Sequence, residues 1–120
     1  MHAYIIEDDW LIGQSIQDML LDLGFKSFSF ARSEDAAVAG AIADEFDLIT
    51  ADARLLPGDG VKAVEQIRAE RNIPVVYITG YAADIQRRVP GAVVVQKPID
   101  PAKLKAAIER VTKFRLVKEH

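Results

Sequence analysis

The stretch Asp47-Leu48-Ile49-Thr50-Ala51-Asp52 sets the reading of this chain. Within it, Asp47–Thr50 is a short, nearly continuous apolar run. A strand with one wet face alternates apolar and polar residues, and this one does not. Strands buried on both faces look like this, and they are typical of parallel sheets covered by helices. Working outward, Pro74–Thr79 and Ala92–Gln96 repeat the pattern with Val and Ile, and Ala3–Ile6 is a shorter instance. Lys26–Phe30 differs: Lys-Ser-Phe-Ser-Phe alternates, as a half-exposed strand does.

Between these runs the period changes to that of a helix. Ile12, Ile16, Met19, Leu20 and Leu23 form one stripe, closed by Gly24. Ser33 precedes Glu34-Asp35-Ala36 as an N-cap with acids in the first turn, and Ala37, Val38, Ala41 and Ile42 are expected to face inward. Val61, Val64 and Ile67 give a third helix that ends before Asn72 and Pro74. A short helix is expected over Ala82–Val89, closed by Pro90-Gly91. The last starts near Asp100-Pro101, with proline at the first helical position, and buries Leu104, Ala107, Ile108 and Val111.

Strand and helix therefore alternate five times with short connections. That pattern implies an α/β fold, a doubly wound five-stranded parallel sheet of flavodoxin-like (βα)5 type. The half-polar second strand belongs at an edge, which favours the order 2-1-3-4-5. Ligands bind such sheets at the carboxyl ends of the strands, where the order switches between strands one and three. Bulk properties agree with one domain over residues 1–120, the tail from about 114 lying beyond the last helical stripe. Half the chain is apolar, 28% is charged and the net charge is −3, which suits a globular core and offers no basic nucleic-acid footprint. The absence of cysteine excludes disulfides and thiolate chemistry. The acidic start is unlike a signal peptide, and no apolar run approaches the ~20 residues of a membrane span, so a cytoplasmic location is expected.

The polar residues gather at the strand ends. Glu7-Asp8-Asp9 follow the first strand, Asp52 ends the third, Thr79-Gly80 the fourth and Lys97-Pro98 the fifth. Strands one and three are neighbours in the expected order, so Glu7, Asp8 and Asp52 share a pocket. Their mutual repulsion is relieved by a hard divalent cation, and carboxylates with water are what Mg2+ takes. Asp52 can then act as a nucleophile toward phosphorus, with Lys97 neutralising a phosphoryl oxygen and Thr79 donating to another. Asp9 reads as a helix cap.

These segments, Ile5-Ile6-Glu7-Asp8-Asp9, Asp47–Asp52, Pro74–Gly80 and Gln96-Lys97-Pro98, resemble the receiver domains of two-component response regulators in order, spacing and placement. The resemblance implies that Asp52 is the phosphoacceptor, that Asp8 and Asp52 ligate Mg2+ directly, and that Glu7 acts through water. It also implies the backbone carbonyl of Arg54 as a ligand and a cis Lys97–Pro98 bond. A histidine kinase or histidine phosphotransfer protein would donate the phosphoryl group. The output would be a change of contacts with another protein, or a homodimer, through the fourth helix, fifth strand and fifth helix. Such a domain assists its own phosphotransfer and dephosphorylation but is not an enzyme.

Two departures stand out. Members commonly carry Tyr or Phe three residues before the lysine, where this chain has Val94. Valine cannot swing as a ring does, and Tyr81, two residues after Thr79, is the nearest aromatic. Tyr77-Ile78-Thr79-Gly80-Tyr81 resembles an atypical receiver subgroup with a Thr-Gly-rich motif and no aromatic on strand five. In addition, Ala53-Arg54-Leu55-Leu56-Pro57-Gly58-Asp59-Gly60 places its proline one residue later than is common, so the loop should bend differently at the same length. Arg54 and Tyr81 are expected to flank the approach of water to an acyl phosphate.

Other readings compete. No Gly-x-Gly-x-x-Gly follows the first strand and no P-loop is present. A haloacid dehalogenase-type phosphatase needs Asp-x-Asp, whereas Ala53-Arg54 follows Asp52. A receiver-like interaction module that is never phosphorylated remains the alternative. Trp10 faces a partner or packs in the core; Tyr81 is a switch or plain surface packing. Phe114, Leu116 and Val117 form a dimer contact or a frayed helix end, and His2 and His120 are expected to be idle. The chain is a single-domain regulator or part of a longer one.

Overall fold

A computed structural model describes residues 1–113 and 116. The chain runs β1 (His2–Ile6), α1 (Trp10–Asp22), β2 (Ser27–Ala31), α2 (Glu34–Ala41), β3 (Leu48–Ala51), α3 (Gly60–Arg68), β4 (Val75–Thr79), α4 (Ala82–Arg88), β5 (Val94–Gln96) and α5 (Pro101–Thr112). The strands form one parallel sheet in the order β2-β1-β3-β4-β5. The expected topology is therefore the observed one. Boundaries differ by a residue or two: β2 starts at Ser27 and ends at Ala31, β5 is confined to Val94–Gln96, and α4 stops at Arg88 with Val89 as its C-cap.

Successive residues of a strand point to opposite faces, and both faces here are covered. Tyr4, Ile6, Ile49, Ala51, Val75 and Tyr77 meet Ala37, Ala41, Val61, Val64, Ile67 and Ile85, from α2, α3 and α4. Ala3, Ile5, Leu48, Val76, Ile78 and Val95 meet Ile16, Leu20, Leu104, Ala107 and Ile108, from α1 and α5. Each large aliphatic side chain buried this way stabilises the fold by about 1.5–3 kcal/mol relative to exposure. That is why three strands read as unbroken apolar runs.

Caps start the helices where the sequence placed them. Asp9 Oδ1 accepts from the amides of Leu11 (2.9 Å) and Ile12 (3.2 Å), and Ser33 Oγ from Ala36 (3.1 Å). Asp100 Oδ1 accepts from Ala102 (2.9 Å), with Pro101 opening α5.

Several expectations are corrected. Ile42 does not face inward: α2 ends at Ala41, Ile42 is its C-cap, and the side chain is 86% exposed. The Arg71 guanidinium bonds the Ala41 and Asp44 carbonyls there, where a helix end carries partial negative charge. Trp10 is not core; it is 60% exposed with its ring tilted against Phe30. His2 makes structural contacts at the start of β1: its ring bonds Ser27 and Ser29 and stacks on Phe46. Leu116 is buried in the layer with α5, which withdraws it from a dimer contact. Phe114, Val117 and His120 lie outside the described residues. Among the described residues, no helix is long and apolar enough to cross a membrane.

One buried polar atom is left over. Thr50, central in β3, is buried and its Oγ1 has no hydrogen-bond partner among the described residues. A buried hydroxyl without a partner costs about 1–3 kcal/mol, and valine has nearly the same shape. Thr50→Val is therefore expected to stabilise the fold by about 1 kcal/mol in urea unfolding; a loss of stability would show that the hydroxyl is bonded after all.

Candidate functional site

The site begins with the pairing of β1 and β3. Ile6 lies opposite Ala51, and the Asp52 amide donates to the Ile6 carbonyl at 3.0 Å. On the other side of β1 the Glu7 amide donates to the Ala31 carbonyl at 2.9 Å. The ladder therefore continues one residue beyond each strand and delivers Glu7 and Asp52 side by side. Carboxylate oxygens of Glu7, Asp8 and Asp52 all lie within 4.8 Å of one another. Glu7 and Asp52 are buried and Asp8 is half-buried.

Lys97 closes the group from β5. Its amide donates to the Thr79 carbonyl at 2.8 Å, which fixes the strand end, and the Lys97–Pro98 peptide is cis, as the resemblance implied. The Leu56–Pro57 peptide is also cis, which the sequence reading did not single out. Lys97 Nζ lies 2.8 Å from Glu7 Oε1 and 2.8 Å from Asp52 Oδ2. Burial pushes the Glu7 carboxyl up to about 7, against the lowering effect of Lys97 and of the Asp9 amide. By itself this group stabilises the fold fully below its ordinary value of 4.5, and that contribution is lost as pH rises through about 7. Burial alone would lower the Lys97 ammonium; the hydrogen bonds to Asp52 and Glu7 outweigh it and hold the pKa above its usual value. The charged lysine is what allows two carboxylates to sit this close.

Thr79 ends β4 fully buried, and its Oγ1 accepts from the Tyr81 amide at 3.1 Å. Arg54 follows Asp52 in a tight return: its amide donates to Asp52 Oδ1 at 3.2 Å, and the loop doubles back so that Arg54 bridges to Asp59. Gly60 is needed for this path, because a Cβ there would lie 1.7 Å from the Asp52 carbonyl oxygen. The Arg54 guanidinium lies over the Tyr81 ring, 3.6 Å from its centroid, a cation–π contact at the mouth of the site. Val94 is half-buried, packs on the core and is paired with Tyr77 of β4.

Glu7, Asp8, Asp52, Thr79 and Lys97 thus end or follow strands at the carboxyl edge of the sheet, with Arg54 and Tyr81 just beyond β3 and β4, whereas Val94 opens β5 and packs on the core away from that edge. The three acids offer only carboxylate oxygen, with no sulfur or imidazole in the cluster, and that donor set fits a hard cation such as Mg2+.

Three contributors were not anticipated. Gln96 crosses from β5 to the start of α4, its Oε1 accepting from the Ala82 amide at 3.1 Å and its Nε2 donating to the Gly80 carbonyl at 2.8 Å. A polar residue ending an apolar strand beside Lys97 was the available signal. Asp59 caps α3 and pairs with Arg88 of α4 at 2.7 Å; burial would raise its pKa, but the Arg88 hydrogen bond holds it low. Glu34 of α2 accepts from the Asp59 amide at 2.8 Å. No local pattern announces these last pairs, because their partners are 29 and 25 residues apart.

Known proteins agree with this geometry. The chain is 30% identical over 116 residues to the transcriptional regulatory protein PdtaR of Mycobacterium tuberculosis, covering 92% of this chain and 57% of that protein. The response regulator PhyR from Brucella abortus superposes with a TM-score of 0.86 at 30% identity, covering 94% of this chain and 48% of that one. The receiver domain of sensor histidine kinase PA1611 from Pseudomonas aeruginosa, solved with a magnesium ion coordinated in its active-site cleft, gives 0.81 at 27% identity, covering 94% and 98%. The chain thus spans about half the length of PdtaR and PhyR. With residues 3–109 matching the response regulator receiver domain, this chain belongs to that family.

Proposed function

We propose that the chain is a phospho-accepting receiver of a two-component phosphorelay, with Asp52 as the acceptor. The observation that carries this reading is the convergence of Asp52 with Glu7, Asp8, Lys97 and Thr79 at the switch point of the sheet. Glu7, Asp8, Asp52 and the Arg54 backbone carbonyl would hold Mg2+. When bound, the ion supplies positive charge to the phosphoryl oxygens. A phosphohistidine on a kinase or phosphotransfer protein is the donor. An Asp52 oxygen forms the new P–O bond as the P–N bond breaks and the imidazole leaves with the bonding pair. Lys97 Nζ, already 2.8 Å from Asp52 Oδ2, neutralises charge on the transferred group. Thr79 donates its hydroxyl proton to a phosphoryl oxygen. The protein does little covalent chemistry beyond this, so positioning and charge account for most of the effect. It is a phosphoacceptor, not an enzyme with an independent substrate.

The output is a change in protein contacts. The relatives include a transcriptional regulatory protein and PhyR, which is described from Bartonella quintana as an anti-anti-sigma factor. A cytosolic protein partner, or a second copy through α4, β5 and α5, suits this role. Intact mass after incubation with acetyl phosphate and Mg2+ tests the assignment. One phosphoryl adduct is expected, lost in Asp52→Ala and on removal of the metal. An adduct that persists in the variant would overturn Asp52, and none on the unaltered chain would favour an interaction module that is not phosphorylated.

Arg54 and Tyr81 follow β3 and β4 and stack on one another, and we infer that the pair restricts the approach of water to the acyl phosphate. Removing the ring in Tyr81→Ala is expected to shorten the phospho-Asp52 lifetime about threefold or more, since water exclusion is a matter of access. An unchanged lifetime by radiolabel decay would make the ring surface packing only.

A further inference from the structure

Three features meet between β5 and α4, and together they bear on how the site is read out. The first is Val94, a side chain packed on the core that cannot rotate between two positions. The second is the Thr79–Tyr81 hydrogen bond, in which the hydroxyl that would turn toward a phosphoryl group is also the acceptor for the Tyr81 amide. The third is Gln96, whose carboxamide grips the backbone on both sides of Tyr81, at the Gly80 carbonyl and the Ala82 amide. Its Nε2 also reaches the Lys97 carbonyl at 3.3 Å. Tyr81, the N-cap residue of α4, makes no side-chain capping bond, so the helix start is held from β5 instead.

We propose that Gln96 is the positioning residue that carries the state of Thr79 to α4, in the role a β5 aromatic would otherwise fill. The proposal rests on the phosphoacceptor reading above and concerns its regulation. When Thr79 turns toward Asp52, the Tyr81 amide loses its acceptor and the backbone at 80–82 must reseat. Because Gln96 binds both Gly80 and Ala82, that segment and the first turn of α4 move as one unit. The far end of α4 is pinned through Arg88 to Asp59, so displacement at its start becomes a tilt of the helix. Gln96 also adjoins Lys97, which ties the same latch to the lysine that holds Asp52. A glutamine suits the task because it donates and accepts at once.

Backbone amide NMR of the chain with Mg2+ and beryllofluoride, a stand-in for the phosphoryl group on Asp52, tests this. On the unaltered chain, amide shifts are expected at Asp52 and Thr79 and along Ala83–Arg88. In Gln96→Met, similar in length but without the three carboxamide hydrogen bonds, the Asp52 and Thr79 shifts should persist while the α4 response falls by about half or more, as loss of a coupling element requires. Gln96→Glu keeps the acceptor for the Ala82 amide but loses the donor to the Gly80 carbonyl, and should restore only part of the α4 response. A purely structural role would not give this split between pocket and helix. An α4 response in Gln96→Met that falls by less than about half would overturn the proposal while leaving the phosphoacceptor reading intact. If Gln96→Met does not fold, Gln96→Glu carries the test, and a helix response no larger than that of Gln96→Ala would overturn it. Failure of beryllofluoride to shift Asp52 and Thr79 on the unaltered chain would instead remove the phosphoacceptor reading, and this proposal with it.

Discussion

The parallel pairing of β1 with β3 is the constraint on which the site depends. It continues past the strands, through the Asp52 amide on the Ile6 carbonyl, and so fixes Glu7 and Asp52 in adjacent positions. Like charges held this close oppose folding unless something of opposite sign joins them. Lys97 is that group in the structure, bonded to both carboxylates from the end of β5. The sheet order therefore does electrostatic as well as packing work: the end of β1 supplies Glu7 and Asp8, the ends of β3 and β5 supply Asp52 and Lys97, and the end of β4 supplies Thr79.

The surroundings restrict how this cluster can rearrange. On the β3 side, Gly60 allows the loop to pass close to the Asp52 carbonyl, while Glu34 and Arg88 hold Asp59 from α2 and α4. On the β4 side, Thr79 holds the Tyr81 amide while Gln96 holds Gly80 and Ala82 on either side of it, at the first turn of α4. The short α4, with one fully buried residue in Ile85, is thus attached to the site at both ends. A helix held mainly by a few polar bonds can be repositioned when one of them changes, whereas α1 and α5 are packed into the core by several aliphatic side chains.

The sequence made the sheet and its order legible because burial on both faces leaves no polar alternation in Leu48–Ala51 or Val75–Thr79, while Lys26–Phe30 keeps it. The acids, Thr79 and Lys97 were legible because each directly follows an apolar strand, so topology alone brings them together. Ile42 misled because an apolar residue continues the stripe of α2 one position past the helix end, where Arg71 has already taken the carbonyls. Trp10 could not be placed from its neighbours, since exposure depends on the approach of Phe30 from another strand. Asp59, Arg88 and Glu34 were missed for a related reason: a hydrogen bond between residues far apart in sequence leaves no periodic trace.

The central claim is that Glu7, Asp8 and Asp52 form a single divalent-cation site whose charge is balanced by Lys97. Calorimetric titration of the chain with Mg2+, beside Asp8→Asn, tests it most directly. One ion bound per chain is expected, with affinity reduced about tenfold or more in Asp8→Asn by the loss of one carboxylate charge. Equal Mg2+ affinity in the two proteins would contradict it.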